Sequence, residues 1–216
     1  MVTIKTIIFD FDGTIANSLG KIVEIYNSVA PSFHCKSIKQ DDIKNLRGKR
    51  VREFLKDYGI TNLKLPFLLL RVRKELRSKI ADIEPITGIV KELQKIKNAG
   101  FYLGIMTSNS KENVRIFLDK NGINDVFDFV YSGKNLFGKD KVINRLLKDQ
   151  GITKDVVIYV GDETRDIEAA KKVGISSLAV TWGFNTKEIL AGSAPNQIVD
   201  DPEKLLEFLL KFFSSK

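Results

Sequence analysis

Residues 6–14 read Thr6-Ile7-Ile8-Phe9-Asp10-Phe11-Asp12-Gly13-Thr14. Four β-branched or aromatic residues make a strand signal, and two aspartates follow at once. Carboxyls placed side by side repel, and burial raises their pKa further. Keeping two acids on an apolar strand for stability alone is costly. Side chains alternate along extended backbone, so only one of Asp10 and Asp12 faces a common site unless the chain bends. Gly13 is where such a bend can occur.

Further strand signals are Tyr102 to Met106, Phe127 to Tyr131, Val156 to Val160 and Ser177 to Val180, with a weaker one at Gln197 to Val199. From residue 86 onward helical patterns separate them. Ile89, Leu93 and Ile96 recur at helical spacing before Gly100; Val114, Phe117 and Leu118 precede Gly122. Val142, Ile143, Leu146 and Leu147 precede Gly151, and Ile167, Ala170 and Val173 precede Gly174. Apolar periodicity closed by glycine marks a helix and its stop. Alternating strands and helices with short links predict an α/β fold, a doubly wound, Rossmann-like parallel sheet.

Residues 17–85 break the rhythm. Ile22, Ile25, Tyr26 and Val29 give one helix face; Val51, Phe54, Leu55 and Tyr58 give another; Leu65 to Ile80 gives a third. A helical insert of about one small domain is therefore expected between core segments 1–16 and 86–216. The C-terminal run Leu205, Leu206, Leu209, Leu210 and Phe213 is amphipathic and expected to dock on the sheet.

Open α/β sheets bind ligands outside the carboxyl ends of their strands. There this chain carries Asp10, Asp12 and Thr14; Thr107-Ser108-Asn109; Gly138-Lys139; and Gly161-Asp162, with Asp166 four residues on. Oxygen ligands without nearby His or Cys point to Mg²⁺. Asp10 and Asp162 can supply carboxylates, while Thr107 and Lys139 suit a phosphoryl group. An aspartate there can also act as a nucleophile and form an acyl phosphate.

These motifs, DFDGT, the strand-end threonine, the Gly-Lys pair and VGDETRD, together resemble the haloacid dehalogenase superfamily. The helical insert directly after the first motif resembles the phosphoglycolate-phosphatase-like branch with an α-helical cap. The resemblance implies Asp10 as nucleophile and Asp12 as acid, then base. It implies phosphate contacts from Thr107, Ser108 and Lys139. Mg²⁺ would be held by Asp10, the Asp12 carbonyl and Asp162, with Glu163 behind and Asp166 either supporting the metal shell or pairing with Lys139. A cap loop at Arg47, Gly48, Lys49 and Arg50 would set specificity. The implied activity is Mg²⁺-dependent hydrolysis of a small phosphate monoester, phosphoglycolate-like or a sugar phosphate, through an aspartyl phosphate. A phosphomutase of the β-phosphoglucomutase kind would use the same two aspartates. Asp12 favours phosphate chemistry, because the dehalogenase branch has no second acid there. Two departures from the family pattern are Asn17, where relatives often have an acid, and Lys141, an alternative phosphate-binding lysine.

Composition bounds the partners. The chain has 216 residues, 43% hydrophobic and 29% charged, with a formal charge of +8. That apolar fraction excludes a disordered chain. One cysteine, Cys35, excludes an internal disulfide. No apolar run reaches the ~18 residues of a membrane span. The first residues carry acids in their apolar stretch, so no signal peptide is read and a cytoplasmic protein is expected. Zinc-finger, helix-turn-helix and RNP-like patterns are missing, which leaves a basic nucleic-acid-binding module a minor alternative. His34, the lone histidine, has no partner pattern. Residues 17–85 hold 15 Lys or Arg against 8 Asp or Glu, so nearly all the excess charge is on the insert. A basic lid favours a phosphorylated substrate with further negative charge. Monomer and homodimer stay open.

Overall fold

The computed structural model describes residues 5–133 and 138–214; the ends of the two expected core segments, 1–4 and 215–216, lie outside the described residues. Six strands form: β1 (Thr6–Phe9), β2 (Tyr102–Thr107), β3 (Phe129–Ser132), β4 (Val157–Gly161), β5 (Ser176–Val180) and β6 (Gln197–Val199). They make one sheet in the order β3-β2-β1-β4-β5-β6, and every pair is parallel. β1 and β4 are buried throughout, which is why they read as continuous apolar runs. The order reverses at β1, between β2 and β4, and that reversal opens the crevice where such sheets bind ligands.

Register fixes which residues meet at that crevice. Phe9 pairs with Ile105 on one side and Val160 on the other. The carboxyl ends of β1, β2 and β4 therefore lie nearly level. Asp10 N–H still donates to the Val160 carbonyl at 2.8 Å, so the first acid leaves the sheet in a fixed direction.

β3 begins at Phe129, two residues later than the apolar run. A 3₁₀ turn at Asn124–Val126 precedes it, and the Phe127 N–H bonds back to the Asn124 carbonyl at 3.4 Å. The other strands shift by one residue at most.

The insert contains α1 (Leu19–Val29), α2 (Asp42–Arg47), α3 (Val51–Asp57) and α4 (Leu65–Lys79), and no named strand among its described residues. The short α2 was not expected, because its apolar residues Ile43 and Leu46 are too few to show a period. Tyr26, Phe54 and Tyr58 pack ring to ring at 4.8–6.3 Å between centroids and join α1 to α3. The two crossings into the insert bond to each other. Asn17 N–H donates to the Glu84 carbonyl at 2.9 Å, and Ile86 N–H to the Ile15 carbonyl at 2.8 Å.

After the insert come α5 (Ile89–Asn98), α6 (Lys111–Lys120), α7 (Lys139–Gln150), α8 (Thr164–Val173), α9 (Lys187–Gly192) and α10 (Leu205–Ser214). Gly151 and Gly174 end α7 and α8 in the left-handed conformation, as the glycine stops predicted. α10 buries Leu205, Leu209 and Phe213, and Leu206 N–H caps the buried Glu92 carboxylate of α5 at 2.9 Å. Its apolar face is thus an internal docking face. No helix among the described residues is long and apolar enough to cross a membrane.

Candidate active site

Asp10 follows β1 and is 2% exposed. Its Oδ1 accepts the Phe11 N–H at 2.8 Å, and its Oδ2 accepts Lys139 Nζ at 2.8 Å. Lys139 begins α7 and also pairs with Asp166. Burial pulls the Lys139 ammonium down, but Asp10 and Asp166 outweigh it and hold the group charged, well above the ordinary lysine range. Lys141, the alternative, is exposed on the same helix and points no charge into this cluster.

Gly13 takes φ +80°, and the Ala16 carbonyl accepts its N–H at 2.9 Å. The expected bend is present, but it follows Asp12 and sets the direction of the chain beyond both aspartates. Asp12 is half-buried. Its Oδ2 accepts Asn109 Nδ2 at 3.1 Å, while its Oδ1 has no hydrogen-bond partner among the described residues. Burial first, and the Asp10 charge second, push the Asp12 carboxyl up to about 6. The two neighbouring acids thus divide into one carboxylate tied to a lysine and one carboxyl that holds its proton more readily.

Asp162 ends the turn after β4 and is fully buried. Thr14 Oγ1 donates to its Oδ1 at 2.6 Å, and the Phe184 N–H to its Oδ2 at 2.7 Å. Burial and the Asp166 charge hold its carboxyl well above the ordinary range. Asp166, in the first turn of α8, is pushed up to about 6 by burial, with Lys139 opposing. Carboxylate oxygens of Asp10, Asp162 and Asp166 lie within 4.8 Å of one another. Asp166, expected to support the metal shell or to pair with Lys139, makes that pair and also lies in this trio. The Asp12 side chain lies outside this trio.

The donor set fits a hard divalent cation. Asp10, Asp12, Asp162, Glu163 and Asp166 bring five carboxyls together against three cations: the buried Lys139, the partly buried Arg165 and, beside Asp12, Arg73. Neutralising that excess with an oxygen-seeking ion costs less than leaving it bare. Three glycines leave room for the acids. A Cβ at Gly13 or Gly183 would collide with the carboxylate of Asp162, and one at Gly161 with that of Asp166.

Thr107 ends β2, 2% exposed, and its Oγ1 accepts the Asn109 N–H at 2.9 Å. Ser108 lines the adjoining cavity. Glu163 instead caps α8 and accepts Arg165 Nη2 at 2.5 Å. In the insert, Arg47 Nη2 donates to the Thr181 carbonyl at 2.9 Å. Lys49 pairs with Asp57 at 2.6 Å and Arg50 with Glu168 at 3.3 Å. Arg47 and Lys49 reach the cavity wall; Gly48 and Arg50 do not form part of it. His34 is exposed at the end of a 3₁₀ turn, and Cys35 is a buried free thiol.

Four participants have no counterpart among the expected site residues. Asn109 holds Asp12. Asn185 links the insert to the core: its Oδ1 accepts the Thr164 N–H at 3.0 Å, and its Nδ2 donates to the Lys49 carbonyl at 3.0 Å. Arg165 lies between two motif acids, where its position was the available signal. Arg73, on α4, carries a charge that acts on Asp12 and lines the cavity. Trp182 Nε1 donates to the Thr14 carbonyl at 3.1 Å, so the loop after β5 both closes the rim and packs on the first motif.

Comparison with known proteins gives the class of this parallel sheet with acids gathered at its β1 switch point. The model of the haloacid dehalogenase-like hydrolases matches residues 7–180, and the chain belongs to that family. Over 203 residues it is 35% identical to the phosphoglycolate phosphatase of Synechococcus elongatus, covering 94% of this chain and 96% of that protein. The phosphoglycolate phosphatase of Vibrio cholerae is 26% identical over 97% of this chain and 99% of its own length. A predicted phosphatase from Clostridium acetobutylicum superposes with a TM-score of 0.83 over 97% of this chain and 99% of its own, at 24% identity, a likeness of fold. The chain is an enzyme of the phosphatase kind within its family.

Proposed function

We propose that this enzyme hydrolyses a small phosphate monoester, with Mg²⁺, through a phosphorylated Asp10. Residues 17–85 act as a cap domain over a core of residues 1–16 and 86–216. The carrying observation is the contrast between neighbours: Asp10 tied to Lys139, and Asp12 raised to about 6 beside it.

Asp10 attacks phosphorus, forming the aspartyl–phosphate bond as the ester P–O bond breaks. Asp12 gives its proton to the leaving oxygen. The resulting Asp12 carboxylate then takes a proton from water, which attacks the phosphorus and frees inorganic phosphate and Asp10. Lys139, Thr107 and Ser108 hold phosphoryl oxygens, and Arg165 adds positive charge. Asp10, Asp162 and Asp166 would hold Mg²⁺, with the Asp12 carbonyl as a further oxygen. Bound there, the ion neutralises phosphoryl charge and makes phosphorus a better electrophile.

Phosphate release from an aryl phosphate with Mg²⁺ tests this reading, together with mass spectrometry of trapped enzyme for a phosphoryl group on the Asp10 peptide. Retention of activity by Asp10→Asn overturns it.

A further inference from the structure

Asp12, Ser108, Asn109 and Arg165 form the core side of a cavity of about 260 Å³ that extends into the helical insert. That size is near the lower end of ligand pockets, roughly 300–1,000 Å³. On the insert side the wall changes character. Ile22 and Tyr26 of α1, Phe54 of α3, and Leu65, Leu69 and Val72 of α4 are among its lining. Among the described residues, the insert's bases on this wall are Arg47, Lys49 and Arg73, set among many more apolar side chains. Lys49 is held by Asp57 at the rim, Arg50 by Glu168 outside it, and the Arg47 guanidinium donates to the Thr181 carbonyl. Arg73 and Arg165 stand where their charges act on Asp12, at the phosphoryl end.

We propose that the cavity in the insert is an apolar leaving-group subsite, so that preferred substrates are phosphate monoesters of apolar alcohols or phenols. This rests on reading the Asp10–Asp12 end as the phosphoryl site. A carboxylate or sugar leaving group would shed its water against this wall and find few partners. An alkyl or aryl group gains by leaving water there. The basic composition of the insert therefore does not by itself imply an anionic leaving group: Lys49 and Arg50 are paired with acids, Arg47 bonds a carbonyl, and Arg73 stands at the phosphate end.

The test is calorimetric titration of the whole protein, with Mg²⁺, using n-alkylphosphonates from methyl to hexyl, whose P–C bond resists hydrolysis. The dissociation constant falls about three- to fourfold per added methylene until the cavity is filled. Val72→Trp and the milder Leu69→Phe narrow the cavity and flatten that dependence, with thermal melts checking that each folds. Affinity independent of chain length overturns the proposal. So does a length dependence that survives in both folded variants. Release of phosphate from acetyl phosphate, whose leaving group is too small to fill the cavity, reports the phosphoryl site alone. No release with length-dependent binding removes the phosphatase reading and keeps the subsite. Release with flat binding removes only the subsite, and the absence of both signals overturns both.

Discussion

Lys139 Nζ lies 2.8 Å from Asp10 Oδ2 although 129 residues separate them in the chain. The same ammonium pairs with Asp166, so one buried cation holds acids from the turn after β1 and from α8. All three side chains are under a tenth exposed, where an unpaired charge is expensive.

Removing that cation leaves two buried carboxylates facing each other. Lys139→Ala is expected to destabilise the metal-free protein by about 3–5 kcal/mol. Urea unfolding measures it, and a change under about 1 kcal/mol contradicts the central role of the pair. Lys139→Arg keeps the charge but not the compact shape, and should recover part of the stability.

Asp10→Asn removes the attacking oxygen's charge while keeping its size. Phosphate release from 4-nitrophenyl phosphate should drop by at least about a thousandfold. The circular dichroism spectrum and melting cooperativity should match the parent, which separates lost chemistry from lost fold.

The raised carboxyls make stability depend on pH with a definite sign. Asp12 and Asp166 sit at about 6, against an ordinary value of 3.8. Between about 4 and 6 the folded state binds more protons than the unfolded chain. Stability of the protein in EDTA therefore falls as pH rises through that window. Scanning calorimetry at pH 5 and 7.5 checks it. Mg²⁺ should raise Tm more at pH 7.5 than at pH 5, because protonated acids compete with the ion.

Gly183 touches Asp162 so closely that any Cβ displaces the carboxylate. Gly183→Ala should lower kcat by tenfold or more. Gly192, at the end of α9, has open space around it. Gly192→Ala should leave kcat unchanged, and equal effects at the two sites would contradict the steric account.

Asn185 bonds to the insert through the carbonyls of Arg47 and Lys49 at 3.2 and 3.0 Å. Asn185→Ala should loosen the closed arrangement and raise KM about tenfold for every ester tested, short or long. Arg50→Ala breaks only an exposed pair with Glu168 and should change KM less than twofold. Steady-state kinetics on both variants decides.

Much of this was legible in the chain. Period and glycine stops located α5 through α8, because those helices bury one face on a sheet that buries both of its own. Asp10, Asp12, Asp162, Asp166 and Lys139 could be picked out because acids at strand ends have no economical structural use. Asn109 stood in the strand-end Thr-Ser-Asn, but its bond to Asp12 was not legible, and Asn185 and Arg73 have no local pattern, since each works through a partner far away in sequence. The insert's 15 bases can be counted in the chain, but the acids that pair with Lys49 and Arg50 are found only in three dimensions.

The amino-acid sequence by itself determined the α/β class, the place of the helical insert and the acids of the site, because strand and helix periodicity and the cost of burying charge are local properties. Tertiary structure alone decided that Lys139 bridges Asp10 and Asp166, that Asp166 joins the candidate metal ligands, and that the cavity beyond Asp12 is lined by apolar side chains. Those relations depend on which elements a parallel sheet and a folded insert bring within hydrogen-bond and van der Waals reach, and such distances are not written in spacing along a chain.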